Sequence, residues 1–144
     1  MPAMDRHTET AIVWFRRTMW LGIAVNLAVA IPALFRPNTI LGFLNIEAAA
    51  TPIWVSFAAN LLILLSLFYI PAAIDPVIHK VSAGLAVFAR WAGVAFFTTA
   101  VYVFGESQAY LILGLIDFVF GLPLSILLWS IFKRHRVQPA FAPT

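Results

Sequence analysis

The sequence predicts an all-α integral membrane protein, in which four transmembrane helices form an antiparallel up-down bundle. Of the 144 residues, 62% are hydrophobic and only 10% are charged, whereas soluble domains carry about a quarter charged residues. A spanning helix needs roughly 20 apolar residues, and the chain contains four apolar runs of about this length with short links between them. The predicted organisation is a cytoplasmic N-terminal segment over residues 1–17, a four-helix domain over 18–132 with spans at about 18–35, 52–70, 82–104 and 108–132, and a cytoplasmic tail over 133–144.

Proline, glycine and hydroxyl residues mark the ends of these spans. The first span stops before Pro37, and the second starts at Thr51-Pro52, where a hydroxyl can cap the first turn and proline occupies the first helical position. Pro71 predicts the end of the second span, because proline cannot continue the hydrogen-bond ladder of a helix. Gly105 ends the third span, since glycine readily takes the left-handed backbone conformation found after many helices.

Some apolar and aromatic residues are expected at the membrane interface. The run from Ile40 to Leu44 is too short to span a bilayer and too apolar for a solvated loop. Tryptophan and tyrosine near the ends of spans are typical interface anchors, and the tyrosines are alternatively contacts for a quinone head group. These residues are Trp20, Trp54, Tyr69, Tyr102, Tyr110 and Trp129.

Lysine and arginine predict the orientation, because cytoplasmic loops carry an excess of both. Of the nine lysine and arginine residues in the chain, Arg90 lies inside a span and only Arg36 lies in the first or third loop. The others occupy the two terminal segments and the middle loop. Both termini are therefore predicted to be cytoplasmic.

Each predicted span carries one strongly polar residue well inside it: Asn26, Asn60, Arg90 and Asp117, in chain order. A charge at the centre of a spanning helix costs about 2.5 to 3.5 kcal/mol on insertion scales, and an opposite charge nearby lowers this cost. Arg90 and Asp117 are the only ionisable residues deep within the spans, and a tight turn joins their helices. We therefore predict that Arg90 contacts Asp117 directly, with Asn26 and Asn60 as further hydrogen-bond partners.

Small residues recur on the same helix faces as these polar residues, which predicts close helix packing there. Small side chains follow one another at intervals of three or four residues along the face of Asp117, and a glycine lies about one turn from Asn26 and from Arg90. Small residues allow neighbouring membrane helices to approach closely. The predicted packing residues are Gly22, Gly93, Gly114, Gly121 and Ser125.

The polar cluster allows two interpretations. It is either a hydrogen-bond network that fixes the packing of the helices, or a pocket that binds a small amphiphile or relays a proton, since intramembrane ionisable residues often mark functional sites. No catalytic residue, metal site or cofactor is predicted, because the chain has no cysteine and its histidines, His7, His79 and His135, fall outside the spans. The basic residues behind the net charge of +3 lie mostly at the ends of the spans, where membrane orientation explains them, so no nucleic-acid partner is expected.

Several stretches of the sequence resemble a known group of proteins. They are Leu21–Asn26 with Ile31–Pro37, Leu65–Ala73, Leu113–Asp117 and Phe120–Gly121. They resemble small four-helix proteins of the bacterial inner membrane that are distantly similar to the DoxX-like superfamily. DoxX-like proteins are associated with membrane oxidoreductase systems and quinone-linked chemistry, often as partner subunits. The resemblance implies a multi-pass inner-membrane protein with an accessory role, and the lack of an intramembrane cysteine argues against redox chemistry of its own.

Two functions are therefore expected, neither of them enzymatic. The first is an accessory or assembly subunit of a larger membrane complex, such as a redox or bioenergetic complex, which contacts other membrane proteins or a second copy of itself in the lipid bilayer. The alternative is a binding protein or carrier for a small hydrophobic molecule such as a quinone or a lipid, with Arg90 and Asp117 orienting its polar head. This alternative needs a cavity that reaches Arg90. A proton-coupled transporter is disfavoured, because four short helices would need at least a dimer to enclose a transport path.

Overall fold

The structure is a computed structural model that describes the backbone of residues 6–136 and the side chains of residues 6–133. Residues 1–5 and residues 137–144 of the predicted terminal segments lie outside the described residues. The described chain contains helices and no strand, which confirms the all-α class, and four helices are long and apolar enough to cross a membrane. The elements are α1 (Arg6–Phe35), α2 (Pro37–Phe43), α3 (Pro52–Ile74), α4 (Lys80–Tyr102), a 3₁₀ turn (Gln108–Tyr110) and α5 (Leu111–Arg136).

The first helix is longer than predicted, because it begins at Arg6 rather than at residue 18. Phe15, which precedes the predicted span, is fully buried. Arg16 and Arg17 are exposed, and the Nε of Arg16 donates to the carbonyl oxygen of Ala73 at 3.3 Å. The basic residues thus lie on the outside of a helix whose other face already belongs to the core.

The third helix continues through Pro71 and ends at Ile74, so the prediction that Pro71 ends this helix is wrong. Proline is tolerated within membrane helices when neighbouring groups compensate for the missing hydrogen bond. The helix stops where Asp75 takes an extended backbone, with φ −151° and ψ 101°, as favoured for a residue that precedes proline. The Oδ1 of Asp75 accepts from the N–H groups of Val77 at 2.8 Å and Ile78 at 3.0 Å, which stabilises the turn to α4.

The ends of the last two helices also differ slightly from the prediction. α4 covers Lys80–Tyr102 rather than residues 82–104, and α5 continues past residue 132 to Arg136. Gly105, in the turn between them, has the predicted left-handed conformation, with φ 74°.

The apolar run after α1 forms most of α2 and packs against the long helices. Leu41 is 8% exposed and Ile46 is 4% exposed, and α2 contacts α1 and α3. Asn45, with φ 55°, reverses the chain after α2, and the Oδ1 of Asn38 accepts from the N–H of Ala49 at 3.2 Å. This connection therefore covers one end of the α1–α3 pair, while its location at a membrane interface stays a prediction.

The core has two parts, which differ in the number of helices that they join. At one end, buried residues of all four long helices meet, including Phe15 of α1 and Ile131 of α5. At the other end, the described cluster contains Ala30, Ala33 and Ala59, with partly buried residues of α1, α2 and α3 around it and none of α4 or α5. The four long helices therefore pack closely at one end, whereas α4 and α5 leave a cavity at the other.

Candidate functional site

Arg90 lies near the middle of α4 and is only 4% exposed. Its Nη1 donates to the Oδ1 of Asp117 at 2.7 Å and to the Oδ1 of Asn26 at 3.1 Å. The predicted contact between Arg90 and Asp117 is therefore present, and Asn26 is a further partner. One guanidinium group thus links α4 to α5 through an ion pair and to α1 through an amide.

The hydrogen-bond chain continues from Asn26 into α3 through Ser66. The Nδ2 of Asn26 donates to the Oγ of Ser66 at 3.2 Å, and that hydroxyl donates to the carbonyl oxygen of Leu62 at 2.8 Å. Ser66 is fully buried. Ser66 was not predicted as a member of the cluster, because serine is less polar than asparagine and Asn60 lies on the same helix. Its position, two helical turns after the small residue Ala59, is the signal that could have identified it.

Two aromatic rings complete the surroundings of the Arg90 guanidinium. Its central carbon lies 5.3 Å from the ring centre of Phe120 and 5.8 Å from that of Tyr69, distances at which a cation is attracted to an aromatic ring. Tyr69 is 4% exposed, so its predicted role as an interface anchor is wrong. Arg90 therefore contacts residues of α1, α3 and α5 from its position on α4.

Asn60 does not belong to the cluster, although the sequence analysis placed it there. It is exposed on α3, and its side chain forms no hydrogen bond with any residue that the structure describes. The face of α3 that packs on α1 is defined by small residues, including Ala59 and Ser66. Asn60 follows Ala59 directly and is therefore turned about 100° away from that face. Ser66 takes the place that was predicted for Asn60.

The predicted packing glycines lie against the charged cluster. A Cβ atom added to Gly93 would collide with the carboxylate of Asp117, and one added to Gly22 would lie 3.0 Å from the Nη2 of Arg90. At Gly121 it would lie 3.2 Å from the Cβ of Arg90. The small residues therefore make room for the ion pair itself as well as for the helix backbones. Gly114 packs in the same way, with a Cβ there 3.3 Å from the Cβ of Phe97.

Ser125, the last of the predicted packing residues, forms a second link between α4 and α5. Its Oγ accepts from the Nε1 of Trp91 at 2.9 Å and donates to the carbonyl oxygen of Gly121 at 2.7 Å. Trp91 directly follows Arg90, so neighbouring residues of α4 bind α5 at two points. This pair of contacts fixes the position of α5 beside the ion pair.

A cavity of about 310 Å³ extends from this cluster toward α2. Its polar end contains Arg90, Asp117 and Asn26, and the rest of its wall is apolar. All four long helices contribute to the wall, and Ile40 and Leu41 of α2 line it as well. The arrangement is therefore an apolar space with one buried ion pair in its wall.

The ion pair retains hydrogen-bonding capacity that the described residues do not use. Both hydrogen bonds of Arg90 leave from Nη1, so the N–H groups of Nε and Nη2 have no acceptor. Oδ2 of Asp117 has no donor, and this side chain is 20% exposed. Every fully enclosed polar side-chain atom of the described part of the chain has a partner, so these spare groups border open space. Arg90 and Asp117 both line the cavity, so a molecule there would contact the ion pair.

No metal centre is indicated by the side chains that the structure describes, since they contain no group of three or more His, Cys, Asp or Glu residues. No protein-family model, curated protein or solved structure matches the chain. The resemblance to DoxX-like proteins therefore stays a prediction. Fold and site together define a class only: an all-helical protein with four potential membrane spans and a buried ion pair beside an apolar cavity.

Proposed function

We propose that this chain is a multi-pass membrane protein that binds a small amphiphile, with the polar head at Arg90, Asp117 and Asn26 and the apolar part in the cavity. The observation that carries the proposal is the cavity of about 310 Å³ that reaches Arg90. Apolar pockets with a few convergent polar groups are typical ligand sites. A network that only fixed helix packing would need no such space. The predicted accessory or assembly role stays a prediction, on which no contact of the described residues bears.

The head group that best fits this site is uncharged. Arg90 already has a carboxylate partner at 2.7 Å, so an anionic head would add an excess negative charge to a largely apolar environment, where charges are costly. Arg90 and Asp117 line the cavity, and a guanidinium and a carboxylate suit the oxygen and the O–H of a neutral head group. A quinone or quinol, a fatty alcohol and a monoacylglycerol meet these requirements.

The size of the cavity limits how much of such a molecule it encloses. The cavity has a volume of about 310 Å³. This volume lies at the lower end of the range for ligand pockets. The protein would therefore enclose a head and a short length of chain, while a longer tail would extend into the lipid.

Binding can be tested with decyl-chain compounds that differ only in their head group: a benzoquinone, a hydroxyl, a carboxylate and a phosphate. Each is titrated into the purified protein in nanodiscs by calorimetry. We expect saturable binding of the quinone and the alcohol, and at least tenfold weaker binding of the two anions. Tighter binding of the anions would contradict the uncharged head, and no saturable binding of any compound would contradict the function.

Two alanine variants separate occupation of the cavity from general effects. Ala58 lines the cavity and Ala28 does not, and both are exposed residues of long helices. Ala58→Phe places a ring in the cavity and should weaken binding at least tenfold, whereas Ala28→Phe should leave it unchanged. Equal affinities of the two variants would contradict the assignment of this cavity.

We further propose that the four long helices are arranged in antiparallel up-down order, with both termini in the cytoplasm of a bacterial cell. The proposal is supported by the positions of basic residues near one end of the bundle. Arg16 binds the end of α3, Lys80 lies 6.0 Å from the ring of Phe132, and Lys133 lies 4.6 Å from that of Trp129. Basic residues favour the cytoplasmic side.

Cysteine labelling tests this orientation directly, because the chain contains no cysteine. A membrane-impermeant maleimide should label Glu106→Cys, in the loop before α5, from outside intact bacterial cells or spheroplasts. It should label Ile78→Cys, in the loop before α4, only after the membrane is permeabilised. The opposite pattern would contradict the proposed orientation.

A further inference from the structure

The outer face of α3 carries a polar residue where lipid is expected. Asn60 is exposed, and its side chain forms no hydrogen bond with any residue that the structure describes. At about 1.5 Å per residue, it lies about 12 Å from the first residue of α3, well within a hydrocarbon core about 30 Å thick. Its side chain is too short to reach the interface from there. An amide in this position faces hydrocarbon, where an unpaired polar group is costly.

Neither the ion-pair cluster nor the cavity explains Asn60. The cavity is lined on α3 by Val55, Ala58, Ala59 and Leu62, whose mean direction differs from that of Asn60 by about 150° at 100° per residue. A ligand in the cavity could therefore not satisfy this amide. A partner for this amide must therefore come from outside the residues that the structure describes.

The residues around Asn60 form a surface on which a second helix can pack. Ile53, Phe57, Leu64 and Leu67 are exposed, and together with Asn60 they alternate at intervals of four and three residues. This is the spacing of the core positions of a left-handed helix pair. In such pairs a single asparagine at a core position fixes the register of the helices and the number of helices that associate. Polar side chains likewise associate membrane helices through hydrogen bonds.

A second copy of the same chain is the partner that this amide fits best. An asparagine side chain has both donor and acceptor groups, so two copies related by a twofold axis can satisfy each other with two reciprocal hydrogen bonds. Closed twofold dimers are also the commonest form of homo-oligomer. We propose that the α3 face of Ile53, Phe57, Asn60, Leu64 and Leu67 is a homodimer interface in the membrane, with Asn60 of each copy bonded to Asn60 of the other.

The absence of cysteine in the chain makes disulfide cross-linking a direct test. Leu64→Cys lies on the proposed interface, and Val119→Cys, which is 57% exposed on α5, is the matched control. Both are reconstituted into phosphatidylcholine vesicles over a series of protein-to-lipid ratios and oxidised. We expect Leu64→Cys to form dimers and Val119→Cys to remain monomeric at dilutions where the first is cross-linked.

Replacement of Asn60 then tests the role of the amide. In the Leu64→Cys background, Asn60→Leu should lower the association constant about 3- to 20-fold, which corresponds to the range measured for interhelical hydrogen bonds, whereas Asn60→Gln should retain most of the association. An unchanged association constant for Asn60→Leu would overturn the proposal. Disulfide cross-links in native membranes that join Leu64→Cys only to other proteins would overturn it as well. Because Asn60 lies away from the core, both variants should keep the circular dichroism spectrum and the melting temperature of the parent.

Discussion

The ion pair between Arg90 and Asp117 can be tested by removing one partner without changing its shape. Leucine has the same number of side-chain heavy atoms as aspartate and branches at the same carbon, so Asp117→Leu fits against Gly93. The change leaves the Arg90 guanidinium, which is 4% exposed, with the Asn26 amide as its one hydrogen-bond partner among the described residues. The variant therefore buries an uncompensated positive charge.

The size of the effect follows from the geometry of the pair. Two unit charges about 4 Å apart interact by about 4 kcal/mol at an effective dielectric constant near 20, and removing one partner of a buried pair costs roughly 3 to 5 kcal/mol. We expect Asp117→Leu to lower the free energy of unfolding by about this amount. The double variant Arg90→Met/Asp117→Leu removes both charges, and apolar replacements of a whole pair are often neutral. It should regain all but about 1 kcal/mol, the cost of the hydrogen bond that Asn26 loses.

The measurement is the free energy of unfolding in mixed micelles, obtained by titration with a denaturing detergent and followed by far-ultraviolet circular dichroism. The parent protein, both single variants and the double variant form a thermodynamic cycle whose coupling energy is the interaction of the two charges. If Asp117→Leu and the double variant unfold with the same free energy, the two charges do not stabilise each other and the reasoning is refuted.

Two further predictions use the same measurement with matched controls. Gly93→Ala should destabilise the protein because the added Cβ collides with the carboxylate of Asp117, although alanine normally favours a helix by about 0.5 to 1 kcal/mol relative to glycine. In the control variant Gly84→Ala, on the same helix, the added Cβ has no neighbour within 4 Å, so this variant should be neutral or stabilising. Equal effects of the two variants on the free energy of unfolding would contradict the proposed fit. Asn26→Leu should lower the free energy of unfolding by about 1 to 3 kcal/mol, since buried polar groups lose their partners. Asn60→Leu should leave the free energy of unfolding of the monomer unchanged. A larger loss for Asn60→Leu than for Asn26→Leu would show that the two asparagines have been assigned the wrong way round.

The four long apolar helices and the central ion pair could be predicted because few alternatives exist for them. Apolar runs of about 20 residues have one common structure in lipid, and two opposite charges within such runs are far cheaper together than apart. The left-handed conformation of Gly105 could also be predicted, since a turn residue with this conformation is usually glycine. In these cases a single local property determines the outcome.

The rotation of α3 could not be predicted, and Asn60 was misplaced for this reason. The helix is apolar on all sides, so no amphipathic pattern shows which face is buried. The orientation is set by small residues such as Ala59 and Ser66, which look unremarkable beside an asparagine in a single sequence. Tyr69 was misjudged in the same way, because a tyrosine near a span end has the same sequence signature at an interface and in a core.

The cavity and the start of α1 depend on packing between distant parts of the chain. Phe15 continues the line of buried residues formed by Met19 and Ile23, but Arg16 and Arg17 indicated that the span begins only after them. The cavity arises because α4 and α5 separate from α1 and α3 at one end. No local sequence pattern encodes that separation.

The long sequence separation of the ion pair has a consequence for biosynthesis. The carboxylate that neutralises Arg90 is supplied 27 residues later in the chain, so a ribosome completes α4 before any counter-charge exists. An arginine at the centre of a lone helix opposes transfer from the translocon into lipid by about 2.5 to 3.5 kcal/mol. We therefore expect lateral release of α4 to become more favourable once α5 has emerged, so that the two helices enter the bilayer together as a hairpin.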